Sequence, residues 1–272
     1  MRFDYTTVGH VTADVLADGT RRPGGSAFYS ALQAARLGRR ALVLTRGVPD
    51  EIERLLAPYL GELELVVQRA PCTTSLETSG KGRGRVQRML AWAGAIEPDV
   101  RVDTAVLHLA PIARETPPAW QGTAGLVGLT PQGLVRSWSL HERTVALRPL
   151  TRSQLPERLE AAVLSAAERS CCELLLDGTA LVAITDEAEP TELLRPGSGP
   201  VRLAVPAVDR LRDDIGAGDV FAAASFIALA DGRDARAAAA FANAAAAVRL
   251  SGEGPDAIGD RAAIEARANA AG

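Results

Sequence analysis

The most constraining segment of this sequence is a Gly-Ala-Gly turn at residues 216–218, which leads directly into an alanine-rich helical pattern. A helix that begins without bulky side chains exposes unpaired backbone N–H groups at the positive end of its dipole, so it can bind an anion. Asp219 follows the turn, where a bound phosphate would repel its carboxylate. Either Asp219 is an ordinary solvated capping residue, or it takes a proton from a hydroxyl that attacks phosphorus.

The longer pattern Asp-x-x-Gly-Ala-Gly-Asp-x-Phe, at residues 213–221, resembles the C-terminal signature of the ribokinase-like (pfkB) carbohydrate kinases. The resemblance implies that Asp219 is the catalytic base and that Asp213 belongs to the nucleotide site. It also implies an anion hole for the transferred phosphoryl group, formed by Gly216, Ala217 and Gly218. The family usually has threonine where this chain has Asp214, which adds negative charge near the predicted phosphate site.

Composition excludes several other classes of protein. The 272 residues are 47% hydrophobic and 23% charged, as expected for a soluble globular chain, and the net charge of −3 argues against a nucleic-acid partner. No apolar run approaches the roughly 20 residues of a membrane span, and the first residues lack signal-peptide character. Three cysteines, Cys72, Cys171 and Cys172, do not predict a disulfide framework, so a cytoplasmic location is expected.

Two familiar site types are also excluded. Gly80-Lys81-Gly82 lacks the preceding glycine frame and the following Ser or Thr of a P-loop, and Lys81 is the chain's single lysine. If the protein binds ATP, backbone amides and arginines must therefore hold the phosphates. The histidines, His10, His108 and His141, follow no zinc-ligand spacing.

Short apolar runs alternate with helical patterns, which predicts a single α/β domain over residues 1–272 with a doubly wound, mostly parallel sheet between helices. The predicted strands are residues 6–11, 41–45, 63–67, 104–109, 125–129, 162–165 and 181–185. The predicted helices are residues 26–37, 50–59, 216–229, 235–250 and 261–270.

Two segments interrupt the alternation and predict hairpins. Residues 14–23 contain the turn signal Asp18-Gly19, and residues 73–91 have a glycine-rich tip at 79–82. They are either plain surface hairpins or, as the resemblance implies, a small β lid over the acceptor that can also form a homodimer interface. The predicted lid residues that face the acceptor are Thr73, Thr74, Glu77, Arg83 and Gln87.

Asp14 follows the first predicted strand, where open α/β sheets place their ligands. Its position resembles the family aspartate that binds sugar hydroxyls, and a carboxylate can accept two hydroxyl hydrogen bonds. Gly24 and Gly25 precede a helix, where the family brings backbone close to the sugar. A simpler reading makes Ser26 the N-cap of that helix.

Gln132 and Arg136, in a Gln-Gly-x-x-Arg pattern after a strand, resemble the inositol and polyol kinase branch and are predicted to face the acceptor or the phosphate. A surface turn is the equally weighted alternative. Glu168 resembles a family glutamate that organises Mg²⁺ through water, although a first-turn glutamate also complements a helix dipole.

The predicted nucleotide side departs from the family. Thr185 is followed by an acidic run at residues 186–189 instead of the family's Thr-x-Gly-x-x-Gly loop. These carboxylates would weaken ATP binding unless they point away or bind metal, so an altered donor, a displaced loop or weak activity follows. Asn243 matches a family position near the adenine.

Together these features predict an ATP- and Mg²⁺-dependent kinase that phosphorylates a hydroxyl of a sugar, inositol or other polyol. A monovalent cation is also compatible with the resemblance. A nucleoside kinase is one alternative, if the aromatic side chains near the acceptor (His10, Phe28, Tyr29 and Trp92) line its pocket. The acidic run supports a second alternative, a degenerate member that binds a small ligand without catalysis.

Overall fold

A computed structural model of the chain describes residues 2–16, 19–80, 84–139 and 141–270. The strands are β1 Phe3–Val8, β2 Thr12–Val15, β3 Arg21–Gly24, β4 Ala41–Gly47, β5 Glu64–Arg69, β6 Ser75–Ser79, β7 Val86–Ala91, β8 Arg101–Leu109, β9 Gln121–Leu129, β10 Arg136–Ser137, β11 Ala146–Leu147, β12 Ala161–Ser165, β13 Leu181–Asp186, β14 Glu189–Leu194 and β15 Val201–Leu203. The α-helices are α1 Ser26–Arg36, α2 Pro49–Leu56, α3 Glu173–Gly178, α4 Ala217–Ala230, α5 Ala235–Leu250 and α6 Arg261–Asn269.

The main sheet has the strand order β15-β14-β13-β12-β9-β8-β1-β4-β5. From β5 to β13 all neighbours are parallel, and β14 and β15 add an antiparallel edge. Tyr5 at the centre pairs with Ala41 on one side and Val106 on the other. This arrangement confirms the predicted doubly wound α/β class.

The sheet is covered on both faces, as its continuous apolar strands require. One hydrophobic cluster joins α1, α4 and α5 to the sheet, and a second cluster fills the opposite face. Small side chains allow α4 to pack closely: a Cβ on Gly128 of β9 would lie 2.5 Å from the Phe226 ring of α4. The described part of the chain has no helix long and apolar enough to cross a membrane.

A separate sheet, β3-β2-β6-β7, forms from the two segments predicted as lid hairpins. β2 pairs antiparallel with β3 and parallel with β6, so the two hairpins form one surface, which we call the lid. Asp18 in the first predicted turn and residues 81–83 at the second tip, including Arg83, lie outside the described residues.

Two differences from the sequence prediction lie near the predicted site. The first strand spans Phe3–Val8 instead of 6–11, so residues 9–11 already belong to the connection that leads to β2. The acidic run is the turn between β13 and β14, two strands of which only the first was predicted. Strand β14, next to the edge strand β15, is half exposed and begins with Glu189-Pro190, a composition that gives little strand signal.

Candidate active site

The predicted phosphate turn starts α4 at the carboxyl edge of the main sheet. Gly216 is the N-cap of α4 and has left-handed backbone angles, φ 79° and ψ 0°. A Cβ at Gly216 would lie 2.2 Å from a carbon of the Tyr29 ring, whereas a Cβ at Gly218 would meet open space. Tyr29 therefore fixes one side of the turn, and the other side opens towards a ligand.

Asp219 lies in the first turn of α4, next to this open space. Burial raises the pKa of its carboxyl to about 6, and the charge of Glu168 acts in the same direction. The Ser26 hydroxyl and the guanidinium groups of Arg136 and Arg85 act to lower it. A carboxyl with this pKa is deprotonated at neutral pH and is a better proton acceptor than an ordinary aspartate.

The acceptor-side aspartate, Asp14, lies on β2 of the lid. It accepts a hydrogen bond from the Thr12 hydroxyl at 2.7 Å, and a Cβ on Gly24 would lie 2.2 Å from its Oδ2 atom. Burial raises its pKa, while Thr12 and nearby arginines, Arg22 first among them, lower it. Gly24 thus leaves room for the carboxylate.

The helix after this strand pair begins at Gly25, which has φ 95° and is the N-cap of α1. A Cβ at Gly25 would lie 2.2 Å from the His10 carbonyl oxygen, so glycine is required there. The interpretation of Ser26 as the N-cap is wrong: Ser26 is the first helical residue, and its hydroxyl makes no capping hydrogen bond.

Arg136 is buried between the lid and the sheet. Its guanidinium donates to the Ile112 carbonyl at 2.9 Å and to the Gln87 side chain of β7 at 2.6 Å. Burial lowers its pKa, and the carboxylates of Glu168, Asp219, Glu115 and Asp14 raise it. Arg136 therefore lies among the predicted site residues instead of on a solvated turn, and Gln132 is half-buried in the adjacent 3-10 turn Pro131–Gly133.

Glu168 caps the 3-10 segment Ala166–Cys171 that follows β12. Its Oε2 atom accepts a hydrogen bond from the Ser165 N–H at 2.9 Å, which forms a capping box. Glu168 therefore has a structural role in the first turn of this segment, which is where the alternative interpretation placed it. Among the described residues no cluster of three acidic, histidine or cysteine side chains could hold a metal ion. A single carboxylate fits Mg²⁺ held mainly by donor phosphates and water.

Of the predicted lid residues that are described, Gln87 faces the site and Glu77 does not. Glu77 pairs with Arg88 on the other face of the lid sheet. The hydroxyl of Thr73 accepts from the Val48 N–H, and that of Thr74 accepts from the Ala93 N–H. These threonines hold neighbouring backbone, so the predicted acceptor contacts of Thr73, Thr74 and Glu77 are wrong.

The structure explains Asp214, which the sequence did not. Arg85, just before β7 in the lid, forms an ion pair with Asp214, and Arg22 of β3 lies 4.0 Å from the carboxylate of Asp213. Together these residues line a cavity of about 310 Å³ between the lid and the segment before the phosphate turn. Asp214 thus connects the lid to that segment.

On the predicted nucleotide side, the acidic run forms a tight β-turn. Glu187 lies at its tip with φ 51°, and the side chains of Glu187 and Glu189 are exposed to solvent. Asn243 is buried: it hydrogen-bonds to the Thr191 hydroxyl at 2.8 Å and to the Ala204 carbonyl at 3.4 Å. It links α5 to the edge strands, while Thr185 lies on β13 opposite Ser165.

Asp213, which was predicted to belong to the nucleotide site, binds groups of the protein itself. Its carboxylate accepts hydrogen bonds from the N–H groups of Ile215 and Gly254 and from Arg249. Burial acts to raise its pKa, but these hydrogen bonds outweigh burial and lower it. The carboxylate therefore holds the protein's own loop together.

Sequence reasoning missed four charged residues around the site: Arg22, Arg85, Glu115 and Arg249. Glu115 is fully buried and accepts three backbone hydrogen bonds, from His10, Ile112 and Ala113, at 2.6–2.8 Å. Arg85 is two residues before Gln87, so alternation along the hairpin could have identified it. Arg22, Glu115 and Arg249 act through contacts between distant segments and leave no local signal.

Comparison with known proteins supports the predicted resemblance. Residues 146–260, which include the phosphate turn, α4 and α5, match the pfkB family carbohydrate kinases. The matched segment makes up about two fifths of the chain. The predicted resemblance is thereby confirmed, as is the predicted class of small-molecule kinase. A comparison with curated proteins finds no significant match.

Solved structures of several kinases share the fold over nearly the whole chain. A pyrophosphate-dependent kinase in the ribokinase family, complexed with a pyrophosphate analog and myo-inositol, is 20% identical with a TM-score of 0.78, covering 96% of this chain and 99% of the other. Ribokinase from Arabidopsis thaliana, complexed with ribose and ATP, is 17% identical with a TM-score of 0.76 and coverages of 98% and 99%. A nucleoside kinase from Methanocaldococcus jannaschii is 16% identical with a TM-score of 0.73 and coverages of 98% and 98%.

Proposed function

We propose that this protein transfers a phosphoryl group from a phosphate donor to a hydroxyl of a sugar, inositol or other polyol. The observation that carries the proposal is Asp219. A carboxyl with a pKa of about 6 lies beside a helix start that opens to solvent at Gly218. Proton acceptor and anion cradle are thus adjacent, as in-line phosphoryl transfer needs.

In the proposed reaction, the Asp219 carboxylate accepts the proton of the attacking hydroxyl. The backbone N–H groups of the turn face the transferring phosphoryl group and stabilise its charge. Asp14, on the opposite side, binds the hydroxyls of the acceptor. The buried Arg136 orders the carboxylates that surround its own guanidinium. Closure of the lid would exclude water from the transfer.

Mg²⁺ would neutralise the donor phosphates during the transfer. Glu168 is the residue proposed to hold it, through water, because one of its oxygens already accepts the Ser165 N–H and it lies near Asp219. Binding of the ion would then depend mostly on the donor's own oxygens.

ATP is the donor that the family resemblance implies, and it is the first candidate. Pyrophosphate is the second, and a specific observation favours it. In this chain the predicted adenine-side residue Asn243 is buried in internal hydrogen bonds, and the neighbouring turn exposes carboxylates. A pyrophosphate-dependent member of the same fold is also among the similar structures.

Nucleoside phosphorylation has less support. Of the aromatic and histidine side chains expected in a nucleoside pocket, Phe28, Tyr29 and His10 are buried, and only Trp92 is well exposed. Phe28 packs against Tyr59 in the core. A stacking surface for a base is therefore not provided by these residues.

The test is a screen of ATP and pyrophosphate, each with Mg²⁺, against inositols, sugars, sugar alcohols and nucleosides. Asp219→Asn should lower kcat by about a thousand-fold, in line with removal of a general base, while the acceptor still binds in calorimetry. Asp231→Asn, at the far end of α4, is the matched control and should keep full turnover. Near-normal turnover by Asp219→Asn would refute the assignment of the base.

A further inference from the structure

Arg249 is a buried arginine for which the sequence indicated no role. It lies near the end of α5, and its side chain is fully inaccessible to solvent. Nη2 donates to the Asp213 carboxylate and to the Ile215 carbonyl, each at 2.7 Å. Nη1 donates to the carbonyls of Asp213 and Gly252, each at 3.3 Å.

These contacts surround one positive charge with three carbonyl oxygens and a carboxylate. Carbonyl and carboxylate oxygens are also the ligands with which proteins bind alkali and alkaline-earth cations. In this chain the guanidinium occupies the centre of the oxygen cage. A free monovalent cation, which the family resemblance allowed, therefore does not fit among these oxygens.

The caged charge adjoins the phosphate turn. Ile215, whose carbonyl binds Arg249, directly precedes Gly216, the N-cap of α4. The guanidinium carbon also lies 5.7 Å from the centre of the Tyr29 ring, and the same ring limits Gly216. Arg249 and Tyr29 thus fix the backbone that aims the turn's N–H groups.

We propose that the Arg249 guanidinium is the built-in monovalent cation of the phosphate turn. It is a positioning residue: it holds residues 213–216 in the geometry that binds the donor phosphate and adds a fixed positive charge behind the turn. The protein then needs no added monovalent cation. Only the kinetic consequence of this inference rests on the proposed kinase function, because the structural consequence can be measured without turnover.

The first experiment uses the wild-type protein in potassium, ammonium, sodium or tetramethylammonium chloride at constant ionic strength, with substrates as tetramethylammonium salts. The rates should agree within about two-fold, since constant ionic strength keeps the general screening the same in every salt. The thermal unfolding midpoints should agree as well. A rate or midpoint clearly higher in potassium than in tetramethylammonium would overturn the proposal.

The second experiment empties the cage. Arg249→Ala should lower kcat roughly ten-fold or more with a smaller change in the acceptor KM, because a displaced turn misaligns the transfer. Millimolar guanidinium or potassium should restore part of the rate and should raise the unfolding midpoint of this variant. Arg233→Ala, which removes an exposed arginine stacked on Phe241, is the control and should respond to neither ion.

Calorimetry with inorganic pyrophosphate adds a readout that packing alone would not change. The affinity for pyrophosphate should fall in Arg249→Ala and recover with guanidinium. A loss that neither ion restores would show that Arg249 only fills space and would contradict the proposal. If Arg249→Ala does not fold, the wild-type salt comparison still decides. If no donor–acceptor pair turns over, the kinase proposal fails, while the midpoints and the pyrophosphate affinity still test Arg249.

Discussion

At the scale of single residues, the environment of Asp219 sets the pH at which the proposed enzyme works. Burial and the neighbouring Glu168 raise the pKa of its carboxyl to about 6. Because only the carboxylate accepts a proton, kcat/KM should rise about ten-fold per pH unit below pH 6 and level off above it. An acid limb near pH 4 in the measured pH–rate profile would mean that Asp219 behaves as an ordinary aspartate.

A variant can show that this limb belongs to Asp219. Glu168→Gln removes a negative charge that raises the Asp219 pKa, so the acid limb should move to lower pH. Glu173→Gln, at the exposed start of α3, removes the same charge further along the chain and should leave the limb in place. Equal profiles for both variants would contradict the coupling between Glu168 and Asp219.

The residues that the sequence identified at this site are those whose signal is local. The turn at 216–218 and Asp219 are contiguous, and Asp14 and Arg136 follow strands, so position alone indicated them. Arg249 contacts Asp213 across 36 residues, and Glu115 reaches His10 across 105. Such partners are brought together only by the fold, and a single sequence shows no sign of them.

At the scale of elements, the lid and the phosphate turn are connected by charge. Arg85 of the lid pairs with Asp214, in a position where the family usually has threonine. The pair is partly buried, so its coupling should be about 1 kcal/mol, near the upper end for exposed ion pairs. The connection should hold the lid close to the acceptor.

A double-mutant cycle tests this connection. Asp214→Thr and Arg85→Ala should each raise the acceptor KM by roughly five-fold, which corresponds to that coupling, and the double variant should be no worse than either. Arg88→Ala breaks the Glu77 pair on the other face of the lid and should leave KM unchanged. Fully additive effects would show that Arg85 and Asp214 act independently.

Elements with strong periodicity or continuous apolar character were predicted well. Helix α5 matches its predicted bounds, residues 235–250, and α1 and α4 agree within a residue or two. Strands β14 and β15 were missed because they lie at the sheet edge, where half-exposed sequences such as Glu189-Pro190-Thr191 lack a buried strand's apolar run. The antiparallel pairing of β13 with β14 makes the acidic run a tight turn.

At the scale of the whole molecule, the parallel sheet brings distant segments to one edge. The segments after β1, β9 and β12 supply Asp14, Arg136 and Glu168, and α4 supplies Asp219 across from them. Carboxyl ends of parallel strands meet at one edge, so the fold class alone predicted that these segments would converge. A homodimer through the lid stays a prediction.

This convergence also has a thermodynamic consequence for the folded state. A carboxyl whose pKa is about 6 when folded and 3.8 when unfolded binds more protons in the folded state between these values. The titration of this carboxyl therefore lowers the free energy of unfolding as pH rises from about 4 to above 6. The shift corresponds to an upper limit of about 3 kcal/mol, less for a side chain that keeps some contact with solvent.

Asp219→Asn removes this titration. The stability of the variant relative to the wild type should therefore be about 1–3 kcal/mol greater at pH 8 than at pH 4. Urea unfolding of both proteins across this pH range measures the difference. Asp231→Asn, exposed at the other end of α4, should show no such trend. A stability difference that does not change with pH would mean that the folded protein does not raise the Asp219 pKa. Combined with lost turnover, the predicted trend would show that the proposed base is kept for activity at a cost in stability.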